Sequence, residues 1–270
     1  MAKTIPLDKV LAGNTEYETD DRELLVIKRI GTSSATTGQL YIDRKPTTKI
    51  NSTVAPLATT TSNLNGLLDL GGLFNVVLPE TKLQFVGASG CKVRIAGYKV
   101  QLDPMETPDK GLMDRADMQF KDYLTVVEGS YSHGTDAAWA ADIEKEILAL
   151  TPKTIEEYVL NNIVMANVAN VSGGVSAGEW AIRFFLENSP LEFVYGTPIK
   201  PGIDVTAMPM PPAGTTEMKP FSLADFPIAV LGDKTLSVRI ANISGANKSP
   251  TTGTSITVTF NAVARYTVKV

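Results

Sequence analysis

Cysteine, histidine and tryptophan are nearly missing from this chain of 270 residues, with one, one and two copies respectively. A single cysteine, Cys91, excludes an intrachain disulfide and any cysteine-built metal site. Its setting, Gly90-Cys91-Lys92-Val93, reads as the start of a strand, where a free thiol behaves as a small buried hydrophobe. A single histidine, His133, rules out a histidine-rich metal centre. It falls in Ser130-Tyr131-Ser132-His133-Gly134-Thr135, a turn-like stretch that predicts a solvated loop residue rather than a general base. No run reaches the roughly 18 apolar residues of a membrane span, and the opening Met1-Ala2-Lys3-Thr4-Ile5-Pro6 has no apolar stretch of the secretory kind, so synthesis in the cytoplasm is expected. Basic charge is also short: the net charge of -4 and pI near 5.2 argue against the general footprint of a nucleic-acid binder.

What is present is β-pattern. Ile256, Val258, Phe260, Ala262, Ala264, Tyr266, Val268 and Val270 share one parity, while Thr257, Thr259, Asn261, Arg265, Thr267 and Lys269 share the other. Side chains of a strand alternate between faces, so this is a half-buried strand, and Val263 on the polar parity marks a place where it bends or changes partners. Further strands are read at Glu23–Ile30, Gln39–Asp43, Thr47–Ile50, Gly72–Leu78, Lys82–Val86, Trp180–Leu186, Glu192–Tyr195, Pro227–Leu231 and Lys234–Ile243. Pro46 favours an edge position, Pro79-Glu80 reads as the turn of a strand pair, and Lys234–Ile243 reads as the partner of the last strand in a wide hairpin. Between Val93 and Leu102 the apolar parity switches at Ala96-Gly97, the signature of a β-bulge.

Helical spacing is confined to residues 111–169. Phe120, Tyr123, Leu124 and Val127 follow i, i+3, i+4, i+7, and Trp139, Ile143 and Ile147 repeat every four. A helix start is read at Thr151–Glu157, with either Thr154 and Glu157 as a capping box or Thr151 capping ahead of Pro152. Residues 1–21 lack periodicity and end in Glu16, Glu18, Asp20 and Asp21, which lack an EF-hand spacing and read as a solvated N-terminal arm. Asn51–Asn65 and Gly196–Pro220, the latter around Met208-Pro209-Met210-Pro211-Pro212, read as long surface connections. Asn51, Asn170, Asn242 and Asn247 head acceptor sequences for glycans, which cytoplasmic synthesis leaves unused.

The expected architecture is mainly β: a single domain over 1–270, built as a two-sheet antiparallel sandwich of jelly-roll type, with an N-terminal arm (1–21) and an α-helical insertion (111–169). No phosphate-binding glycine loop, nucleophile elbow, dinucleotide fingerprint or zinc-ligand pair occurs. Ser172-Gly173-Gly174-Val175-Ser176-Ala177-Gly178 follows rather than opens a predicted helix, so it reads as a turn. No catalytic, cofactor-binding or metal residue is assigned, no cofactor is implied, and the chain is not expected to be an enzyme.

The neutral Thr, Ser and Gly loops, the absent secretory signal and the closing strand Tyr266-Thr267-Val268-Lys269-Val270 resemble virion structural proteins, such as the single jelly-roll capsid proteins of some tailless viruses. The resemblance implies a coat, tail or filament subunit of a virion that assembles with copies of itself and meets other virion proteins; it transfers no functional residue. The alternative is a carbohydrate- or receptor-binding β-sandwich of the tail-fibre or adhesin kind. An enzyme using carboxylates without a local motif is the third reading.

Overall fold

The computed structural model describes residues 3–57, 67–191, 202–207, 221–223 and 227–269. They are mainly β, arranged in several antiparallel sheets. Where a single two-sheet domain is expected, four sheets divide between two compact units. The first unit comprises residues 3–126 with 265–269, and the second the described residues of 127–264.

In the first unit one sheet runs in the order β1 (Lys3–Ala12), β9 (Lys92–Gln101), β3 (Glu23–Thr32) and β6 (Leu68–Asp69), with β7 (Asn75–Val77) also on β3. The second runs β2 (Glu16–Glu18), β8 (Lys82–Val86), β4 (Gly38–Ile42) and β5 (Lys45–Ile50). Leu25, Ile27, Val93 and Ile95 of the first sheet meet Leu40, Ile42, Leu83, Phe85 and Ile50 of the second in one buried cluster. Pro46 sits on the edge strand β5, as its missing N–H requires.

Three expectations are corrected here. Residues 3–12, read as an arm, form β1, paired along its length with β9 from Lys3↔Gln101 to Ala12↔Lys92. Its half-buried positions are Ile5, Leu7, Lys9 and Leu11, and a lysine stem completing an apolar row, with Pro6 and Val10 on the exposed row, hid the alternation. The strands around Pro79-Glu80 are not partners, because β7 joins β3 and β8 joins β2 and β4. The bulge is real but lies across the ladder: β1–β9 pairing is regular through Gly97, and the extra residue is Lys28, between Ile27 and Arg29 of β3. Val93 and Ile95 face the core between the sheets, whereas Tyr98 and Val100 pack on the opposite face with Leu24 and Val26. A strand that buries one face and then the other imitates a change of phase.

The second unit holds a sheet ordered β10 (Asp122–Ser132), β19 (Thr257–Val268), β12 (Glu156–Ala169) and β16 (Phe221–Ser222), with β17 (Ile228–Val230) also on β12. Its companion is ordered β11 (Glu144–Leu150), β18 (Leu236–Asn242), β13 (Trp180–Leu186) and β14 (Ser189–Pro190), with β15 (Ile203–Asp204) also on β13. The chain passes between units within β10 and within β19. Val258, Phe260, Ala262 and Ala264 of β19 lie in the core with Trp180, Ile182, Phe184, Val238 and Ile240 of the companion sheet. The predicted register of the last strand therefore holds, and buried Val263 shows that its other face is also covered there. The hairpin of the last two strands is overturned: β18 and β19 belong to different sheets.

The helical insertion is overturned as well. Among the described residues the one α-helix is α1 (Lys110–Met118), and 122–132, 144–150 and 156–169 are strands. Trp139, Ile143 and Ile147 recur every four residues, which satisfies a period of two as well as 3.6. Thr125, Val126 and Val127 are buried in succession, so both faces of β10 are covered and no alternation survives to be read. The expected helix start is a tight turn into β12, with Glu156 Oε2 accepting from the Lys153 amide at 3.1 Å. No helix of the described residues is long and apolar enough to cross a membrane.

Candidate functional site

The outer face of the β1–β9–β3 sheet is unusual in being apolar. Leu24, Val26 and Val76 are buried there under Ala116, with Leu112 of α1 and with Tyr98 and Val100 packed alongside. The helix is set in place at both ends. Asp109 caps its start, Oδ1 accepting from the Gly111 amide at 2.8 Å. Near its end Arg115 is buried and donates from Nε to Phe74 O at 2.7 Å and from Nη2 to Leu73 O at 3.2 Å and Asp122 O at 2.8 Å. Burial pulls the Arg115 guanidinium below its ordinary range, and the negative charge of Asp122 opposes that pull. Gln119 completes the attachment, accepting from the Val76 amide at 2.8 Å and donating to Val76 O at 2.9 Å, as a strand edge would.

Beside α1 the sheet face is left open as a groove of about 520 Å3. Leu24, Tyr98, Val100, Leu102 and Leu112 supply its apolar lining, with Thr4 of β1 at one side and Glu106 and Asp109 at the rim. The segment leading from β9 to α1 shapes that rim through a tight turn, Asp103-Pro104-Met105-Glu106, closed by Glu106 N to Asp103 O at 3.0 Å. Glu106 Oε2 also accepts from the Asp103 amide at 3.1 Å. Met105, at the tip, is fully exposed and has φ +70°. The groove can accept apolar side chains, and its rim offers carboxylates; nothing in it lines up a nucleophile with a base.

A second polar constellation pins β2 and β1 to the same sheet. Glu23, buried, accepts from Tyr17 Oη at 2.9 Å and pairs with Lys99 Nζ at 3.0 Å. Lys9 Nζ sits 3.7 Å above the Tyr17 ring. Burial, followed by the Glu23 carboxylate, pushes the Tyr17 hydroxyl up to about 12. Asp8 and Arg94 form a two-pronged pair at 2.8 and 2.7 Å across β1 and β9. These are clamps between strands.

The residues singled out in the sequence are dispersed. Cys91 is buried against Gly13 and Gly87 in the first unit. His133 follows directly on β10 in the second unit, its Nε2 3.2 Å from Ala138 O and its ring 4.9 Å from that of Trp139. Of the acidic cluster, Glu16 belongs to β2 and pairs with Lys82 at 2.8 Å. Among the described residues no group of three or more His, Cys, Asp or Glu is placed to hold a metal ion. Both tryptophans, Trp139 and Trp180, lie in the core of the second unit, so neither serves as an exposed sugar platform. Asn51 is buried and its Oδ1 accepts from the amides of Thr53 and Val54, while Asn242 is buried with its amide on Trp139 O, Ala140 O and Ala246 O. Most of the Asn51–Asn65 connection, all of Gly196–Pro220 but residues 202–207, its Met-Pro run included, and the predicted strand Glu192–Tyr195 lie outside the described residues. Sequence reasoning missed the groove, whose one local signal is the turn-rich Asp103–Asp109 between a strand and a helix cap.

No protein-family model matches the chain, and no curated protein matches it in sequence. Among solved structures it is similar to the VP2 subviral particle of infectious bursal disease virus, at 10% identity over 100% of this chain and 81% of that chain, with a TM-score of 0.24. The Gx strain of the same virus gives 10% identity, the same coverage and a TM-score of 0.22. Alignments at such TM-scores do not establish a shared fold.

Proposed function

We propose that this protein is a structural subunit, with each unit a jelly-roll-like β-sandwich, that assembles through contacts with copies of itself. The setting that suits this reading is a virion coat, tail or filament, and the role is structural rather than catalytic. The observation that carries it is β1. Ten residues long, it pairs with β9 on one side and, among the described residues, with no strand on the other. An open edge of that length is a surface that single-chain proteins ordinarily cover. Pro6 withholds one backbone donor and Lys9 places a charge on the strand, which discourages endless backbone pairing into fibres. Side-chain contact on the exposed row of Thr4, Pro6, Val10 and Ala12 is left available. That combination suits a finite, specific assembly.

Negative-stain microscopy and light scattering over a concentration range test the reading. Regular particles, rings or filaments are expected. A chain that stays monomeric at high concentration and captures glycans on an array would replace it with the carbohydrate-binding alternative. Removal of residues 1–20 would delete β1 and β2 from the fold, so it does not separate loss of assembly from loss of folding.

A further inference from the structure

Met105 stands at the tip of a turn whose flanking residues, Leu102 and Glu106, line the groove beside α1. In Asp103-Pro104-Met105-Glu106, proline at the second position and positive φ at the third is the pattern of a type II turn, in which glycine or asparagine ordinarily fills the third place. A methionine there bears backbone strain and exposes its whole apolar side chain, two costs that the turn itself does not require. Both are explained when the side chain has somewhere to go. Its own chain offers a site of the right character: Leu102 and Glu106, which flank the turn tip, also line the apolar groove. A flexible thioether suits an irregular apolar site of this kind.

We propose that two copies of this chain pair about a twofold axis, the Met105 of each entering the groove of the other, over Leu24, Tyr98, Val100 and Leu112. A knob and a socket side by side on one surface are what an isologous contact needs, since the same patch must serve both partners. Charges of both signs adjoin the groove. Glu106 and Asp109 line it, and Asp103, Lys110 and Lys3, next in sequence to the lining residues Leu102, Asp109 and Thr4, are exposed, so a twofold can set ammonium groups of one copy opposite carboxylates of the other. This names a contact within the assembly proposed above and rests on that reading.

The test is sedimentation velocity over a range of concentrations, with the full chain and three variants. Met105→Gly removes the knob and supplies the residue this backbone favours, so its circular dichroism and melting temperature should match those of the parent. Leu112→Trp fills the groove from its own wall. Leu231→Ser alters an exposed apolar residue of the second unit that does not line the groove. The first two should each weaken the dimer step by about tenfold or more, and the third should leave it unchanged. If the parent associates and Met105→Gly associates equally well, the proposal is overturned while self-assembly stands. If Met105→Gly dissociates but a folded Leu112→Trp does not, the methionine acts elsewhere and the groove assignment fails. A parent that is monomeric throughout removes both the proposal and the reading beneath it; Met105-dependent flotation of that monomer with phosphatidylcholine vesicles would give the groove to a lipid surface instead.

Discussion

The carboxylate of Asp122, at the start of β10, and the guanidinium of Arg265, near the end of β19, meet as a two-pronged pair, with Nε to Oδ1 at 2.7 Å and Nη2 to Oδ2 at 2.8 Å across 143 residues of sequence. Thr267 Oγ1 adds a third bond to Oδ1 at 3.3 Å, and the backbone oxygen of Asp122 receives Arg115 from α1. The carboxylate side chain is 11% exposed and the guanidinium 49%. Removing the arginine therefore strands a buried anion, and removing the aspartate leaves Arg265 to water but withdraws the negative charge that offsets the burial of Arg115. Arg265→Ala and Asp122→Ala should each destabilise by about 2 kcal/mol. Arg265→Lys should recover only part of the loss, because an ammonium cannot reproduce the fork. Urea unfolding of the three variants checks these losses.

Phe260 and Thr259 test the register of β19. Phe260 is fully buried among the core residues of the second unit, and Thr259 is half-buried on the opposite face. Phe260→Asp should cost several kcal/mol and abolish a cooperative melt, while Thr259→Ala should stay within about 0.5 kcal/mol. Equal and mild effects of the two would show that the register is wrong.

Gly97 tests the crossing of β9 and β3. A Cβ added there would lie 2.0 Å from the backbone oxygen of Val26, and backbone cannot swing aside as a side chain can. Gly97→Ala should lower stability by about 2–4 kcal/mol. Gly72→Ala, where nothing lies within 4 Å, is the matched control and should be close to neutral. Thermal melts of the pair decide the matter.

The pH dependence follows from three named groups. Tyr17 is held protonated in the fold, from its ordinary value near 10 up to about 12, so its contribution is complete below pH 10 and lost as pH rises from about 10 to 12. Tyr17→Phe should remove that step from a plot of melting temperature against pH. On the acid side, the hydrogen bond from Arg94 lowers Asp8, and the hydrogen bond from Lys248 lowers Glu179. Folded values below the unfolded ones mean stability that is present above the ordinary carboxylate range and lost as pH falls through it. Asp8→Asn should flatten the acid limb in part and leave the alkaline limb as it was.

The apolar rows of β19 and β18 were legible in the sequence because large hydrophobic residues alternate there with polar or small ones, Leu236, Val238 and Ile240 against Ser237, Arg239 and Ala241, although both faces are largely covered. Pro46 announced an edge for the same local reason: a residue without an N–H cannot serve an inner ladder. The segments that misled are those in which tertiary contacts override the local pattern. β10 is covered on both faces around Thr125–Val127, and β1 uses a lysine stem within its buried row. A period of two also contains a period of four, so Trp139, Ile143 and Ile147 could not by themselves distinguish strand from helix. Which strands pair is not a local property at all: nothing near Lys234–Ile243 says that it joins Trp180–Leu186 rather than the closing strand. The groove beside α1 lies one step further from the sequence. Leu24, Tyr98, Leu102 and Leu112 come from two strands, a turn and a helix, and become one surface only because the β3–β9 ladder and the Arg115 and Gln119 hydrogen bonds hold them side by side. Alternation thus determined which side chains are buried, and long-range backbone pairing decided what they are buried against.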